Sequence, residues 1–164
     1  MTKAIVLISG GLDSRLALKI MQEQGIKILA LNFKFPFGSS CCDTNCSFNF
    51  CQVQGIKLKV IDCTKGKLFQ EYLNLVKKPK HGTGTAINPC IDCRIFILKK
   101  AKEIMKKECY DFIVTGEVLG ERPMSQYRKA LDLVEKESGL KGKILRPLSA
   151  KRLEETEPEK KRIS

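Results

Sequence analysis

The chain has 164 residues, of which 43% are hydrophobic and 7% aromatic, and its formal net charge is +12. This length and composition are typical of one globular domain with its own core, and they exclude a disordered chain. The longest apolar run near the start, residues 4–8, is too short for a membrane span or a signal peptide. We therefore expect a cytoplasmic protein with no membrane partner.

The positive charge is concentrated in the middle of the chain. Residues 57–107 hold 13 lysines and arginines against 4 aspartates and glutamates. A local basic excess suits a polyanion such as RNA, because cationic side chains neutralise phosphates and release counterions. The alternative interpretation is a solvated, lysine-rich helix face.

The apolar pattern predicts strands that alternate with helices. Short continuous apolar runs indicate strands that are buried on both faces, whereas apolar residues spaced three or four apart indicate helices between them. The predicted strands are residues 4–8, 26–33, 58–61, 112–114 and 144–145, in chain order.

Repeated strand–helix units predict an α/β fold with a parallel five-stranded sheet and helices on both faces, because parallel strands need crossover helices. Residues 77–89 are predicted to be a loop, since they combine charge with helix breakers. We assign the domain to residues 1–150. Residues 151–164 form a charged C-terminal tail, for which the stub of a longer chain is the alternative.

The first strand leads into the segment Ser-Gly-Gly-Leu-Asp-Ser, residues 9–14, and then into a helix. Gly10 and Gly11 let the backbone turn tightly and present N–H groups to phosphates. The hydroxyls of Ser9 and Ser14 add hydrogen bonds, and the helix N-terminus supplies partial positive charge. We predict a pyrophosphate-binding loop. The alternative is a glycine turn that only caps the helix.

This loop resembles the PP-loop of the N-type ATP pyrophosphatases, which cleave ATP between the α and β phosphates and adenylate a substrate oxygen. The resemblance implies the Rossmann-like fold of the adenine nucleotide alpha hydrolases. It also implies that backbone after the second strand, near Leu31, Asn32 and Phe33, holds adenine. The residues that it assigns to the pyrophosphate are Ser9, Gly10, Gly11, Asp13 and Ser14.

Two of the eight cysteines, Cys90 and Cys93, form a CxxC at the predicted start of a helix. The helix dipole and the neighbouring Arg94 are expected to lower a thiol pKa there and to favour the thiolate. A thiolate serves as nucleophile, as persulfide carrier or as metal ligand. Cys63 and Cys109 lie near predicted strands and are expected to be small buried hydrophobic residues.

A metal at the CxxC needs further ligands, because Cys90 and Cys93 supply only two. The available thiols are Cys42 and Cys46, or Cys41. A [4Fe-4S] cluster held by cysteines would suit sulfur transfer, and a structural Zn²⁺ bound by four thiols is the alternative. Persulfide chemistry without a metal and inert thiols are also considered.

Two further segments extend the resemblance. Residues 114–126 resemble the Thr-Gly-Glu-Ser-Leu-Gly…Ser-Gln stretch of the tRNA 4-thiouridine synthetases, and Asn-Pro-Cys-x-x-Cys at residues 88–93 resembles the cysteine segment of the tRNA 2-thiouridylases. The three segments narrow the superfamily to its tRNA thiolation branch. By this resemblance Thr115 and Gly116 lie close to the α-phosphate or ribose.

The resemblance implies a two-step reaction. ATP adenylates a carbonyl oxygen of a tRNA base, which the resemblance implies is a uridine, and Asp13 orients Mg²⁺. Sulfur carried at Cys93, Cys90 or a cluster then expels AMP. Arg122 and Gln126 are expected to contact nucleotide or substrate, with an exposed helix start as the alternative.

The expected partners are tRNA and a sulfur donor protein or sulfide, and a homodimer is one assembly that we consider. His81, the single histidine, lies in the predicted loop and is not expected to be a catalytic base. Two other functions fit the loop. One is amide, ammonia or sulfur transfer to a small metabolite, and the other is a module that binds ATP or metal without turnover.

Overall fold

The computed structural model of the protein describes residues 1–36, 44–82, 90–121 and 126–161. Within these ranges five strands form one sheet. The strands are β1 Lys3–Leu7, β2 Lys27–Lys34, β3 Lys57–Asp62, β4 Phe112–Val114 and β5 Ile144–Leu145.

Helices make the connections between successive strands. None of the helices in the described ranges has the length and apolar character needed to cross a bilayer. The helices are α1 Leu12–Glu23, α2 Thr44–Gln54, α3 Gly66–Lys77, α4 Cys90–Lys107, α5 Arg128–Ser138 and α6 Glu157–Lys160, with a 3-10 turn at Ala150–Arg152.

All neighbouring strands run parallel, in the order β3-β2-β1-β4-β5. The predicted strands agree with these bounds to within one residue. The agreement follows from the apolar runs. A strand that is covered on both faces is a nearly continuous run of apolar residues, so the ends of the run mark the ends of the strand. The predicted parallel five-stranded α/β fold is confirmed.

Side chains of β1 alternate between two buried layers. Ala4 and Val6 pack with Leu18 of α1 in one layer, which α2 also joins. Ile5 packs with Leu98 of α4 on the opposite face, in a layer that α5 joins. The sheet is therefore covered by helices on both faces, as predicted, and its core lies on either side of β1.

The two cysteines that were predicted to be buried differ from each other. Cys63 is fully buried, which confirms that prediction. Cys109 is exposed, so the prediction for it is wrong. It follows the end of α4 with φ 55°, and the next amide, that of Tyr110, donates to the carbonyl of Met105 at 2.9 Å. This geometry closes the helix C-terminus and turns the Cys109 side chain outward.

The charged tail lies against the domain in part of its length. The amide of Glu157 donates to the carbonyl of Gly142 at 2.8 Å, and the side chain of Pro158 is buried. The first turn of α6 therefore packs on the connection that precedes β5. The domain limit at residue 150 stays a prediction.

Candidate nucleotide and thiol site

The sheet order changes direction between β1 and β4. The strands β2 and β3 lie on one side of β1, and β4 and β5 lie on the other. In open parallel sheets, ligands bind beyond the carboxyl ends of the strands at such a point. Two predicted site segments leave the sheet here, namely residues 9–14 after β1 and Thr115-Gly116 after β4.

The loop of residues 9–14 closes around one hydroxyl. Ser14 Oγ donates to the carbonyl of Gly11 at 2.9 Å and accepts from the amide of Ser9 at 3.3 Å. Gly10 has φ 90°, a conformation that side chains with a Cβ rarely adopt, so glycine is needed there. Residues 12–14 of the loop form the first turn of α1, where amide groups and the helix dipole favour an anion.

Because it has no Cβ, Gly116 lets the end of β4 approach this loop closely. A Cβ built on Gly116 would lie 2.6 Å from both the carbonyl carbon of Asp13 and the nitrogen of Ser14. These are backbone atoms that cannot move aside like a flexible side chain. Glycine is therefore required for the two segments to touch.

The predicted adenine contacts lie inside β2 rather than after it. Leu31 and Asn32 are buried, and Phe33 is partly buried. The side-chain amide of Asn32 donates to the carbonyl of Ile8 at 2.8 Å and to Ser47 Oγ at 3.2 Å. Asn32 thus joins the end of β1 to α2. A role of this backbone in holding adenine stays a prediction.

A buried carboxylate, Glu117, has no role in the sequence-based prediction, although it lies in the second resembling segment. One carboxylate oxygen is 2.8 Å from Nε of Arg94, and the other accepts from Nε of Arg146 at 2.8 Å and from Thr115 Oγ1 at 2.9 Å. Burial raises the pKa of Glu117, but the two arginines and the hydroxyl outweigh it and hold the pKa below its ordinary value. The carboxylate is therefore ionised, with an arginine Nε 2.8 Å from each of its oxygens.

Sequence reasoning missed this group because its arginine partners are distant along the chain. The only local signal was an acidic residue three positions after the end of a buried strand and two positions after Thr115. A charged side chain that follows a buried strand needs a partner if it is itself buried. Arg146 provides one, and its guanidinium also binds Glu135 of α5.

Cys90 and Cys93 lie in the first turn of α4, as predicted. The Cys93 thiol is partly buried and donates to the hydroxyl of Tyr72 at 3.6 Å. Burial raises the pKa of Cys93, and the Tyr72 hydroxyl opposes this only in part, by donating to the thiolate once the thiol has lost its proton. The predicted lowering of the thiol pKa is therefore wrong at Cys93, because Arg94 pairs with Glu117 instead of the thiol.

The residue between the two thiols fixes the chain that leads toward them. The carboxylate of Asp92 accepts from the amides of His81 at 3.0 Å and Lys80 at 3.3 Å. Asp92 is buried, so its bonds hold residues 80–81 against α4. His81 contributes a backbone group to this arrangement.

The predicted metal ligands do not assemble among the residues that the structure describes. No three His, Cys, Asp or Glu side chains in those ranges form a group that could hold a metal ion. Cys46 belongs to α2, on the face of the sheet opposite to α4. Cys41 and Cys42 lie outside the described residues. The described thiols therefore do not fit an iron–sulfur cluster or Zn²⁺ by themselves.

The structure describes one of the two residues that were predicted to contact nucleotide or substrate. Arg122 lies outside the described residues. Gln126 is buried just before α5, and its carbonyl accepts from the amide of Gly120 at 2.9 Å. The alternative of an exposed helix start therefore does not hold for Gln126. Its contact with nucleotide or substrate stays a prediction.

The model of the family described as Thiamine biosynthesis protein (ThiI) matches residues 1–163. The chain belongs to this family, which confirms the resemblance to the tRNA thiolation branch of the PP-loop ATP pyrophosphatases.

Several curated relatives carry related names. A probable tRNA sulfurtransferase of Methanosarcina mazei is 27% identical over 124 residues, 73% of this chain and 29% of the relative. One from Alkaliphilus metalliredigens is 28% identical over 149 residues, 90% of this chain and 36% of the relative. A tRNA-specific 2-thiouridylase of Acidithiobacillus ferrooxidans is 30% identical over 98 residues, 58% of this chain and 27% of the relative. The chain thus spans about a third of their length or less.

A solved structure shares the fold. It is a 4-thiouridine synthetase in complex with RNA and with bound ATP, and it superposes with a TM-score of 0.71 at 22% identity. The match covers 90% of this chain and 36% of that protein.

We expect Gly116→Ala to lower the free energy of unfolding by about 1–3 kcal/mol, because its Cβ would collide with the loop backbone. Denaturant unfolding measures this. Gly11→Ala is the matched control, since its φ is −70° and its Cβ would meet only Ser9 Oγ at 3.5 Å. It should change stability by less than about 1 kcal/mol. Equal stability of Gly116→Ala and the wild type would contradict the close approach.

We expect Tyr72→Phe to raise the pKa of Cys93 further. Burial already raises that pKa, and the substitution removes the hydroxyl that opposes it. Less thiolate is then present at a given pH, so alkylation of Cys93 slows and its pH profile moves upward. Site-resolved alkylation by mass spectrometry measures the profile, with exposed Cys109 as the internal control. A profile that stays unchanged, or that moves to lower pH, would contradict this role of the hydroxyl.

Proposed function

We propose that this chain is the ATP-using part of a tRNA sulfurtransferase. It binds ATP at residues 9–14, adenylates a carbonyl oxygen of a tRNA base (uridine by family resemblance), and replaces that oxygen with sulfur. One observation carries the proposal: the phosphate loop touches Gly116, and the adjacent Glu117 pairs with Arg94, which follows Cys93. The names of the relatives support the same reaction.

In the first step, the base carbonyl oxygen attacks the α-phosphorus of ATP. A bond forms between that oxygen and the phosphorus, the bond to the β-phosphate breaks, and pyrophosphate leaves. The amides and hydroxyls of Ser9 and Ser14 are suited to hold the departing charge at the helix N-terminus. Mg²⁺, which we expect Asp13 to orient, would supply charge neutralisation on the pyrophosphate.

In the second step, sulfide or a persulfide on Cys93 attacks the activated carbon and AMP leaves with the oxygen. With a persulfide, the thiolate of Cys90 then attacks the Cys93 sulfur, which leaves the outer sulfur on the base. This forms a Cys90–Cys93 disulfide, and an external dithiol must reduce it before the next turnover. The CxxC spacing puts the two thiols on one helical turn, as the exchange needs.

Sulfur transfer to a small molecule is the second candidate, because the family description names thiamine biosynthesis. It uses the same phosphate loop and thiols but needs no polyanion surface. The two candidates differ in whether release of pyrophosphate from ATP depends on added tRNA.

Substitutions should separate the two chemical steps in the full-length protein. Ser14→Ala is expected to slow tRNA-dependent pyrophosphate release about tenfold or more, because it removes a hydrogen bond to a charged group. With a persulfide donor as the sulfur source, Cys93→Ser should retain ATP–pyrophosphate exchange but lower thiolation at least about a thousandfold. Thr156→Ala is the matched control, since the Thr156 hydroxyl donates to the Glu159 carboxylate at the start of α6, and Thr156 does not line the α4–α5 groove. Full thiolation by Cys93→Ser with that donor would contradict the persulfide route through Cys93.

A basic groove between α4 and α5 supports RNA as the substrate. It has a volume of about 450 Å³. Its two carboxylates form ion pairs with lysines that do not line the groove: Glu137 with Lys80 at 3.1 Å and Glu103 with Lys100 at 3.7 Å. The groove is therefore positive, as a phosphate backbone requires. Its four lysines are Lys99, Lys102, Lys106 and Lys136.

Lys99→Ala should weaken tRNA binding. It should also make the fall of the logarithm of the association constant with the logarithm of salt concentration less steep, by about 1 in the slope, because one phosphate contact is lost. Titrations at several salt concentrations measure both quantities. The matched control is Lys19→Ala, an exposed lysine of α1 on the opposite face of the sheet. Equal slopes for the two variants would exclude the groove as the RNA contact.

A further inference from the structure

The carboxylate of Glu117 joins the segments that carry the proposed chemistry. It is 1% exposed, and each of its oxygens is within 2.8 Å of an arginine Nε. Arg94 comes from the first turn of α4, directly after Cys93. Arg146 directly follows β5. Glu117 itself directly follows Gly116, whose backbone contacts the phosphate loop.

The two arginines differ in their surroundings. The Arg146 side chain is 3% exposed and also binds Glu135, so it is held on two sides. The Arg94 side chain is 27% exposed, and Glu117 supplies its ion pair. The Arg146 side therefore fixes the carboxylate in the core, and the carboxylate in turn fixes Arg94.

Stability alone does not account for a carboxylate at this position. Burying charges carries a desolvation cost, and buried ion pairs can often be replaced by apolar side chains without loss of stability. An ion pair does set distance, because the Nε of Arg94 lies 2.8 Å from the buried carboxylate and separating the two charges there costs free energy. That property is useful where two reacting groups must be held in register.

We propose that Glu117 is a positioning residue for sulfur transfer. Through Arg94 it holds the first turn of α4, and with it Cys93, in a fixed relation to the phosphate loop that Gly116 touches. This role in catalysis rests on the proposed function, whereas the positioning of the thiol is a property of the chain itself. Glu117 touches neither ATP nor the sulfur in this assignment.

The cysteines of the chain provide the measurement. In the reduced chain, with a chelator present, iodoacetamide alkylation is followed at each cysteine by mass spectrometry. The alkylation rate of Cys93 measures how accessible the thiol site is. Exposed Cys109, just beyond the other end of α4, is the reference. Alkylation of fully buried Cys63 measures global unfolding. The ratio of the Cys93 rate to the Cys109 rate therefore separates local release from loss of the fold.

Arg94→Met is the main variant, because Glu117 keeps its bonds to Arg146 and Thr115 and the core stays paired. We expect its Cys93 to Cys109 ratio to rise at least about fivefold while Cys63 stays protected. Arg94→Lys keeps the charge and should recover most of the wild-type ratio. Glu117→Gln should behave like Arg94→Met, with lower overall stability.

Glu135→Gln is the matched control, since it also removes a carboxylate from Arg146 but does not touch the loop or α4's first turn. Its ratio should stay within about twofold of the wild type. The proposal is overturned if Arg94→Met keeps the wild-type ratio, if Cys63 becomes reactive in parallel with Cys93, or if Glu135→Gln gives the same rise.

The alkylation experiment can succeed or fail independently of the proposed function. In the full-length protein, Arg94→Met should lower kcat for thiolation and leave the KM for ATP unchanged, because the phosphate loop keeps its contacts. If the wild type releases no pyrophosphate from ATP, the proposed function fails. The alkylation ratios then still decide whether Glu117 positions the cysteine helix.

Discussion

Glu117 is a fully buried carboxylate paired with two arginines from different elements, and the residue before it touches the phosphate loop. Burying such a charge carries a desolvation cost, which the two arginines offset. The end of β4, the start of α4 and the end of β5 are therefore fixed relative to one another. The close approach at Gly116 adds the loop after β1 to this assembly. Together these contacts make one site from separate segments.

The position of the site follows from the topology. The chain builds β1, β2 and β3 outward in one direction and then crosses to place β4 on the other side of β1. This leaves a crevice at the carboxyl ends of β1 and β4, where backbone amides are available to an anion. Because α4 precedes β4 and runs back along the sheet, its first turn lies at the same edge. A CxxC at that turn can act on a substrate held by the loop.

The fold and the phosphate loop could be predicted from sequence because their signals are local. Continuous apolar runs mark the strands, and the order of glycines and hydroxyls marks the loop. The surroundings of the thiols could not be predicted in this way. The pKa of Cys93 depends on burial beside Tyr72, and Arg94 is used by Glu117, both of which are tertiary contacts. Cys109 was mispredicted because its left-handed turn position ends α4 and exposes its side chain.

The central claim is that one site uses ATP to activate a tRNA base and then places sulfur on it. The most direct measurement is the identity and ratio of the products formed by the full-length protein from tRNA, ATP and sulfide. The account predicts AMP and pyrophosphate, with one AMP for each thionucleoside found by mass spectrometry. Formation of ADP and phosphate, or thiolation that proceeds without consumption of ATP, would contradict it.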